Sequence, residues 1–347
     1  MHRLRSLGLT QPVLSCVPFD ALDCLGRVVF ESHTHCVVAT EDGDVSARLH
    51  PRLHDPAHRV VTGDWVRLDR SGDPTWIVER LERARALTRR DPERGVQVMC
   101  ANIDLALIAT AMDRDLNRRR LDRYRAVCAE AGVPAALILT KIDLDPERVA
   151  AVAAELGDGF DLVFPVSAVR GEGIDAVRRA VPYGTTAALL GSSGVGKTTL
   201  VNALAGTALD TGEIRAADSR GRHTTTARRL LPLPGGGWLV DNPGIRSVGP
   251  TSAEAVDEVF ADVAALAAHC RFRDCVHVSE PGCAIVAALD DGSLSRPRYE
   301  AWQKLLRELA YEERRADPDA ERAERSRWKK IHRAQRQRDD LRRRFED

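Results

Sequence analysis

Several things are scarce in this chain of 347 residues. Aromatic residues make up 5% of it, and no apolar run approaches the length needed to cross a membrane. Net charge is zero, because Lys+Arg and Asp+Glu both total 51. The balance excludes any argument from overall electrostatics to a nucleic-acid partner, so such a signal must be local. Residues 1 to about 20 hold no apolar signal-peptide core and no strong pattern, and are expected to be loosely held. With neither secretory nor spanning signal, the expectation is a cytoplasmic protein with no membrane partner. Cysteine is uneven: of 8, Cys16, Cys24, Cys36, Cys100 and Cys128 lie scattered among apolar neighbours, whereas Cys270, Cys275 and Cys283 cluster. In a reducing compartment the first set reads as buried thiols and the second as a metal site. The length accommodates two or three domains.

What is present centres on Gly191-Ser192-Ser193-Gly194-Val195-Gly196-Lys197-Thr198-Thr199, a full match to G-x-x-x-x-G-K-[ST]. It follows the apolar run Ala187-Ala188-Leu189-Leu190, and Leu200, Val201, Ala203 and Leu204 behind it carry a helical pattern that Gly206 ends. Strand, glycine loop and helix are the context that gives this motif its mechanism. Gly191, Gly194 and Gly196 let backbone N–H groups turn toward phosphate oxygens at a helix N-terminus. Lys197 is the expected catalytic contact to the β and γ phosphates, and the Thr198 hydroxyl the expected Mg²⁺ ligand.

Between about Leu25 and Arg85, short strand-like runs alternate with turn signals such as Glu41-Asp42-Gly43-Asp44. About five strands in sixty residues predict a small barrel, best an OB-fold. Such barrels often bind single-stranded nucleic acid, for which the aromatics here are few; the alternative is a purely structural or protein-docking barrel. Thr88 to Val98 reads as the connection out of the barrel. From Asn102 the pattern is strand–helix alternation: strands over Asp104–Thr110, Ala135–Leu139, Leu162–Val166, Arg228–Leu233 and Trp238–Val240, with helices between, predict a doubly wound α/β sheet.

Two motifs flank the phosphate loop. Asp241-Asn242-Pro243-Gly244 is D-x-x-G after a strand; Asp241 would hold Mg²⁺ through water and the Gly244 N–H would meet the γ-phosphate. Thr140-Lys141-Ile142-Asp143 is close to N-K-x-D. A fixed carboxylate at Asp143 accepts from both guanine N1–H and N2–H₂, which adenine does not offer as a pair, and a site built this way can reject the wrong base by about 10⁴ or more. The Lys141 stem can cover a base face, and Ser167-Ala168 would add a backbone N–H to the guanine oxygen. The order is permuted: the base-reading motifs precede the phosphate loop and D-x-x-G. The same sheet can form from that order, because the original ends of such domains lie close together.

Cys270-x₄-Cys275-x-His277-x₅-Cys283 supplies three thiolates and an imidazole, a set suited to one structural Zn²⁺. A helix is expected over about Ala253 to Ala267 ahead of it, and another from Arg298, with Trp302, Leu305, Leu306 and Leu309 in register. Arg325 to Arg344 holds ten Lys/Arg against Asp339 and Asp340, an arm suited to phosphate-backbone contact with RNA or to a solvated tail.

These features together resemble the circularly permuted small ribosomal subunit biogenesis GTPases, the RsgA (YjeQ) family. The resemblance runs through Gly63-Asp64-Trp65-Val66, Leu121-Asp122-Arg123-Tyr124, Thr140–Asp143, Gly191–Thr199, Arg220-Gly221-Arg222-His223-Thr224-Thr225-Thr226, Asp241–Arg246 and the Cys/His cluster. It implies an OB-fold barrel (1–90), a central circularly permuted α/β P-loop GTPase (91–250) and a C-terminal α-helical zinc-binding domain with a basic tail (251–347). It also implies late maturation of the small (30S) subunit, contact with 16S rRNA, binding of GTP and GDP, slow hydrolysis stimulated by the subunit, and a monomer. Thr140 departs from the family's more frequent Asn, which would brace the phosphate loop and contact the base; a hydroxyl supplies part of that. Ile245 stands where Ras-like enzymes place a water-orienting Gln. His223 is the candidate to position water, or a solvated loop histidine, and one of Thr224, Thr225 and Thr226 would ligate Mg²⁺ in the GTP state. The competing readings are a P-loop ATPase or small-molecule kinase, against which Asp143 argues, and a nucleotide-gated RNA-binding protein without significant turnover.

Overall fold

In a computed structural model of the chain, residues 2–316 are described, apart from 16, 18, 33–34, 54, 56–58, 92–94, 114–115, 207–227, 242–248 and 279. The chain divides into two compact units, Met1–Val259 and Phe260–Asp347.

The N-terminal residues are held, not loose. They form two short helices, α1 (His2–Ser6) and α2 (Gln11–Ser15). Leu4, Leu7, Leu9 and Val13 are buried in one cluster with Leu25, Trp65 and Leu81. The segment is polar enough to read as a tail, but its four apolar side chains fill the gap between barrel and sheet, which only the tertiary fold creates.

The barrel strands follow the alternation of apolar residues: β1 (Leu25–Glu31), β2 (Cys36–Thr40), β3 (Asp44–Leu49), β4 (Trp65–Asp69) and β5 (Trp76–Arg80). Their order is β1-β2-β3-β5-β4, closed by β4 pairing back to β1, with β3 and β5 parallel. That five-stranded closure is the OB-type arrangement. Val28, Val38, Ala47, Val66, Leu68 and Ile77 point inward and form its core. Gly63 is required where the chain enters β4: its φ is +94°, and a Cβ there would lie 2.1 Å from the Ala101 carbonyl oxygen.

Thr88 to Val98 is not a plain connection. It belongs to a hairpin of β6 (Ala86–Asp91) and β7 (Gly95–Ala101), whose Leu87, Met99 and Cys100 are buried in the core of the α/β region.

The α/β region comprises β8 (Leu105–Ala111), α3 (Arg118–Glu130), β9 (Ala135–Thr140), α4 (Val149–Gly157), β10 (Leu162–Val166), α5 (Ile174–Arg179), β11 (Thr186–Gly191), α6 (Lys197–Ala205), β12 (Arg228–Pro232) and β13 (Trp238–Asp241). The sheet order is β10-β9-β8-β11-β13-β12, parallel except for β12. Strands buried on both faces need a helix layer on each side. Leu121, Tyr124 and Val127 of α3 and Val152 and Leu156 of α4 cover one face, with Ile108, Leu137 and Val240 beneath them. Ile174 and Val177 of α5 and Leu200, Val201 and Leu204 of α6 cover the other, over Leu107, Ile138 and Leu189.

Barrel and α/β sheet are one hydrogen-bonded surface, because β1 pairs with β12 (Phe30 opposite Arg229, Glu31 opposite Arg228). Arg27 is buried behind this junction. Its guanidinium donates to the carbonyls of Gly63 (3.1 Å), Asn102 (3.0 Å) and Leu7, and to the Thr186 hydroxyl (2.8 Å). Burial lowers its pKa to about 10, partly opposed by Asp104 and Asp64, so it stays charged at neutral pH.

The helix expected over about Ala253 to Ala267 is broken. α7 (Ala253–Val259) ends the first unit, and α8 (Ala261–Ala268) starts in the second after Phe260, whose φ of −111° and ψ of 40° leave the helical region. α9 (Ala284–Asp290) and α10 (Arg296–Ala316) complete the second unit. Its buried side chains include Phe260, Val263, Ile285, Tyr299, Trp302, Leu305 and Leu309. Arg298 stacks 4.1 Å from the Phe260 ring centroid while donating twice to Asp262. Among the described residues no helix is long and apolar enough to cross a membrane.

Candidate functional site

The phosphate loop leaves β11, a strand buried along its whole length, and re-enters regular structure at Lys197, the first residue of α6. Gly191 has φ +154°, and a Cβ on it would come within 2.8 Å of the Ala109 carbonyl oxygen. Gly194 and Gly196 both sit at φ +90°. Gly196 is the N-cap of α6 and offers no side-chain acceptor, so the first N–H groups of the helix face an incoming anion. Lys197 folds back over the loop, its Nζ donating to the carbonyls of Gly191 (2.8 Å) and Ser192 (2.6 Å). Thr198 follows in the first turn, half-buried, with Ser193 and Thr199 exposed and Ser192 half-buried.

Asp241 ends β13 opposite Leu189 of β11, beside the phosphate-loop strand. Burial pushes its carboxyl above the usual range, and Lys197 pulls it only partly back. A half-buried carboxylate on the strand beside the one that feeds the phosphate loop, together with the Thr198 hydroxyl of that loop, offers oxygen donors of the kind Mg²⁺ takes.

The base-reading motif sits at the C-terminal ends of β9 and β10, where open α/β sheets bind ligands. Thr140, 3% exposed, directs its Oγ1 to the Val195 carbonyl at 2.6 Å, with the Thr110 carbonyl at 3.3 Å. The hydroxyl therefore does brace the phosphate loop. Lys141 takes a left-handed backbone conformation, φ +58°. Its Nζ donates to the Gly194 carbonyl and to the Asp113 carboxylate, both at 2.8 Å. Ile142 is half-buried against the hydrophobic core. Asp143 is half-buried and accepts from the Ser167 hydroxyl at 2.6 Å, a bond that holds its carboxyl below the usual range. Asp143 is thus kept ionised and aimed.

Ser167 differs from expectation in one respect. Its N–H donates to the Glu172 carbonyl (3.1 Å), so its contribution is the hydroxyl on Asp143 and not a backbone N–H for a base. Sequence reasoning also missed Asp113, although its place just past the end of β8 was a signal. Gly244, His223 and Thr224–Thr226 lie outside the described residues, as does the basic arm 325–344.

In the second unit Cys270, Cys275, His277 and Cys283 converge, their ligand atoms all within 4.8 Å of one another. Cys270 Sγ and Cys283 Sγ are 3.8 Å apart, and each lies 3.5 Å from His277 Nδ1. Bonds of about 2.3 Å to sulfur and 2.0–2.1 Å to nitrogen, at tetrahedral angles, require edges of about 3.8 Å (S···S) and 3.5–3.6 Å (S···N). The spacing of Cys270, His277 and Cys283 fits zinc, and Cys275 supplies the fourth ligand atom within 4.8 Å of the others. His277 is at φ +58°, and its carbonyl accepts from the Tyr299 hydroxyl at 3.1 Å, which ties the ligand loop to α10.

A family model described as RsgA GTPase matches residues 80–251. A small ribosomal subunit biogenesis GTPase RsgA from Streptomyces coelicolor is 45% identical over 82% of this chain and 80% of its own length. The chain belongs to the RsgA GTPase family. It is a GTP hydrolase. A second RsgA, from Opitutus terrae, is 42% identical over 95% of each chain. YjeQ from Thermotoga maritima shares the fold at a TM-score of 0.61 and 25% identity, covering 82% of this chain and 98% of that one. YloQ, described as a circularly permuted GTPase, aligns at a TM-score of 0.57 and 23% identity over 82% and 94% of the two chains. In this chain the permutation is plain in the sheet. The strand carrying Thr140–Asp143 comes before the phosphate-loop strand in the chain, yet both abut β8 in space.

Proposed function

We propose that this chain acts in late maturation of the small ribosomal subunit, as a cytoplasmic, monomeric GTPase that turns over slowly until the subunit stimulates it. The observation that carries the reading is the Ser167–Asp143 bond: a fixed, ionised carboxylate suited to guanine, in a chain whose relatives are named small ribosomal subunit biogenesis GTPases.

In the reading, Asp143 pairs the two guanine donors, the Lys141 stem covers a base face, and the Ala168 N–H meets the guanine oxygen. The backbone of Gly191–Thr199 surrounds the phosphates. Lys197 exchanges its two carbonyl acceptors for β and γ phosphate oxygens, a short swing because both carbonyls belong to the same loop. Thr198 and Asp241 would hold Mg²⁺, which supplies charge neutralisation on the β and γ phosphates. Gly244 donates to the γ-phosphate, and His223 orients the attacking water. Ile245 lacks a polar atom for that task, which supports slow unassisted turnover. Cys270, Cys275, His277 and Cys283 hold one structural Zn²⁺, and the barrel and basic arm contact 16S rRNA.

The test is multiple-turnover phosphate release from GTP, with and without purified small subunits. A low rate that rises at least tenfold with subunits is expected, and both Lys197→Ala and Thr198→Ala should abolish it. A rate indifferent to subunits removes the ribosomal reading; wild-type turnover in both variants removes the site.

A further inference from the structure

The Thr140-Lys141 pair does more than face a base. Both residues end in contacts with carbonyls of the phosphate loop, Thr140 with Val195 and Lys141 with Gly194. Both also reach the end of β8, Thr140 at the Thr110 carbonyl and Lys141 at the Asp113 carboxylate. The base-reading strand is therefore spliced to the phosphate loop at two adjacent points, and the splice is anchored from β8. Lys141 has a cost to meet in this position. A non-glycine residue at φ +58° is disfavoured and persists where its surroundings over-determine it. The surroundings here are two acceptors on one ammonium, one a loop carbonyl and one a carboxylate.

We propose that Asp113 is a positioning residue for the nucleotide: its carboxylate holds the Lys141 ammonium on the Gly194 carbonyl, keeping the phosphate loop and the base-reading loop in the spacing a guanine nucleotide spans. The inference rests on the guanine-site reading above. Asp113 touches neither base nor phosphate in it and acts through Lys141. Lys141 and Asp113 side chains are each about one-third exposed, 34% and 33%, so solvent screens the pair and its removal leaves the fold intact. The same screening sets the size of the effect. A well-formed ion pair with both partners about one-third exposed corresponds to about a three- to fivefold change in an equilibrium or rate.

The experiment is the dissociation rate of a fluorescent GDP, displaced by excess GDP, at fixed low salt, for the wild-type chain, Asp113→Ala, Lys141→Met and the double variant. Lys141→Met keeps the apolar stem and removes the ammonium. Asp113→Ala is expected to release GDP about three- to fivefold faster, and raised salt should narrow that difference. In the Lys141→Met background Asp113→Ala should have no further effect, because the partner is gone. A merely structural Asp113 would act the same in both backgrounds. Two results overturn the proposal: wild-type dissociation in Asp113→Ala, or an undiminished effect of Asp113→Ala without the Lys141 ammonium. Failure of the underlying reading looks different, since then the wild-type chain binds the fluorescent GDP no better than the adenine analogue.

Discussion

Thr140 is the residue where this chain departs from the more common asparagine, and the structure makes its contribution measurable. Its hydroxyl is buried and donates to the Val195 carbonyl at 2.6 Å. Thr140→Val keeps the shape and removes the donor. A buried acceptor deprived of its donor costs about 1–3 kcal/mol. Bound phosphates hold the loop in either case, so affinity falls only by what the free loop gains when it relaxes. That gain cannot exceed the value of the bond, and with about 1.4 kcal/mol per factor of ten the expected weakening of GDP binding is about five- to tenfold. The same substitution should lower the melting temperature of the nucleotide-free protein by about 2–4 °C per kcal/mol lost. Titration with fluorescent GDP and thermal unfolding give the two numbers, and Thr140→Ser should restore both. A lowered melting temperature with unchanged GDP affinity would refute the reasoning, because the bond would then support the core without setting the loop.

Asp143→Asn should lose selectivity for GTP and gain affinity for xanthine nucleotides, whose C2 oxygen suits an amide donor; competition binding with both nucleotides decides it. Purified protein should hold one Zn²⁺ per chain by metal analysis, and Cys275→Ser should lose the metal and expose residues beyond about 265 to protease, whereas zinc-free protein never treated with chelator contradicts the assignment. At the junction of barrel and sheet, burial pushes the Glu31 carboxyl up, and Arg228, Arg59 and the Thr62 N–H pull it only partly back. A raised folded-state pKa means stability present below the unfolded value of about 4.3 and lost as pH rises through the folded one. Glu31→Gln should therefore gain stability relative to wild type as pH increases from about 4.5 toward neutrality, and a difference that shrinks with pH would reverse the sign of the argument.

Most of the architecture was legible because the signals were periodic or covalently local. The alternation in Val28, Val38, Val66 and Ile77 gave the barrel, and continuous apolar runs such as Leu105–Ala111 gave the parallel strands. The phosphate loop announces its own geometry, since only glycine tolerates the approach of Gly191 to Ala109. What the sequence hid depends on partners far away in the chain. α1 is made worth forming by Trp65 and Leu81, and by the Trp238 indole N–H that donates to the Ser6 carbonyl at 2.6 Å. The β6–β7 hairpin carries Arg89, Arg90 and Asp91 and reads as a charged linker until Leu87, Met99 and Cys100 find the core. Nothing near Phe260 resembles a helix breaker. Asp113 and the Ser167 hydroxyl gain their roles from side chains brought alongside by strand order, which no spacing rule encodes.

That strand order also changes how a nucleotide signal can travel. Small barrels appended to GTPases invite the picture of a tethered module that swings, and here the joint opposes it. β1 and β12 share a ladder, Glu31 is flanked by Arg228 and Arg59, and Arg27 binds the N-terminal segment, the barrel entry, the turn before β8 and the start of the phosphate-loop strand. To swing the barrel would strand a buried guanidinium, at a cost of several kcal/mol. The barrel surface is therefore presented in one fixed relation to the GTP site. The segment after D-x-x-G is anchored too: the Thr251 N–H donates to Glu130 at 2.8 Å, its hydroxyl to the other oxygen of the same carboxylate, and α7 packs on α3. A change at the γ-phosphate that travels along the chain past D-x-x-G meets this anchor before the first unit ends at Val259. A partner that binds differently in the GTP and GDP states must therefore draw that difference from parts of the chain other than this fixed joint.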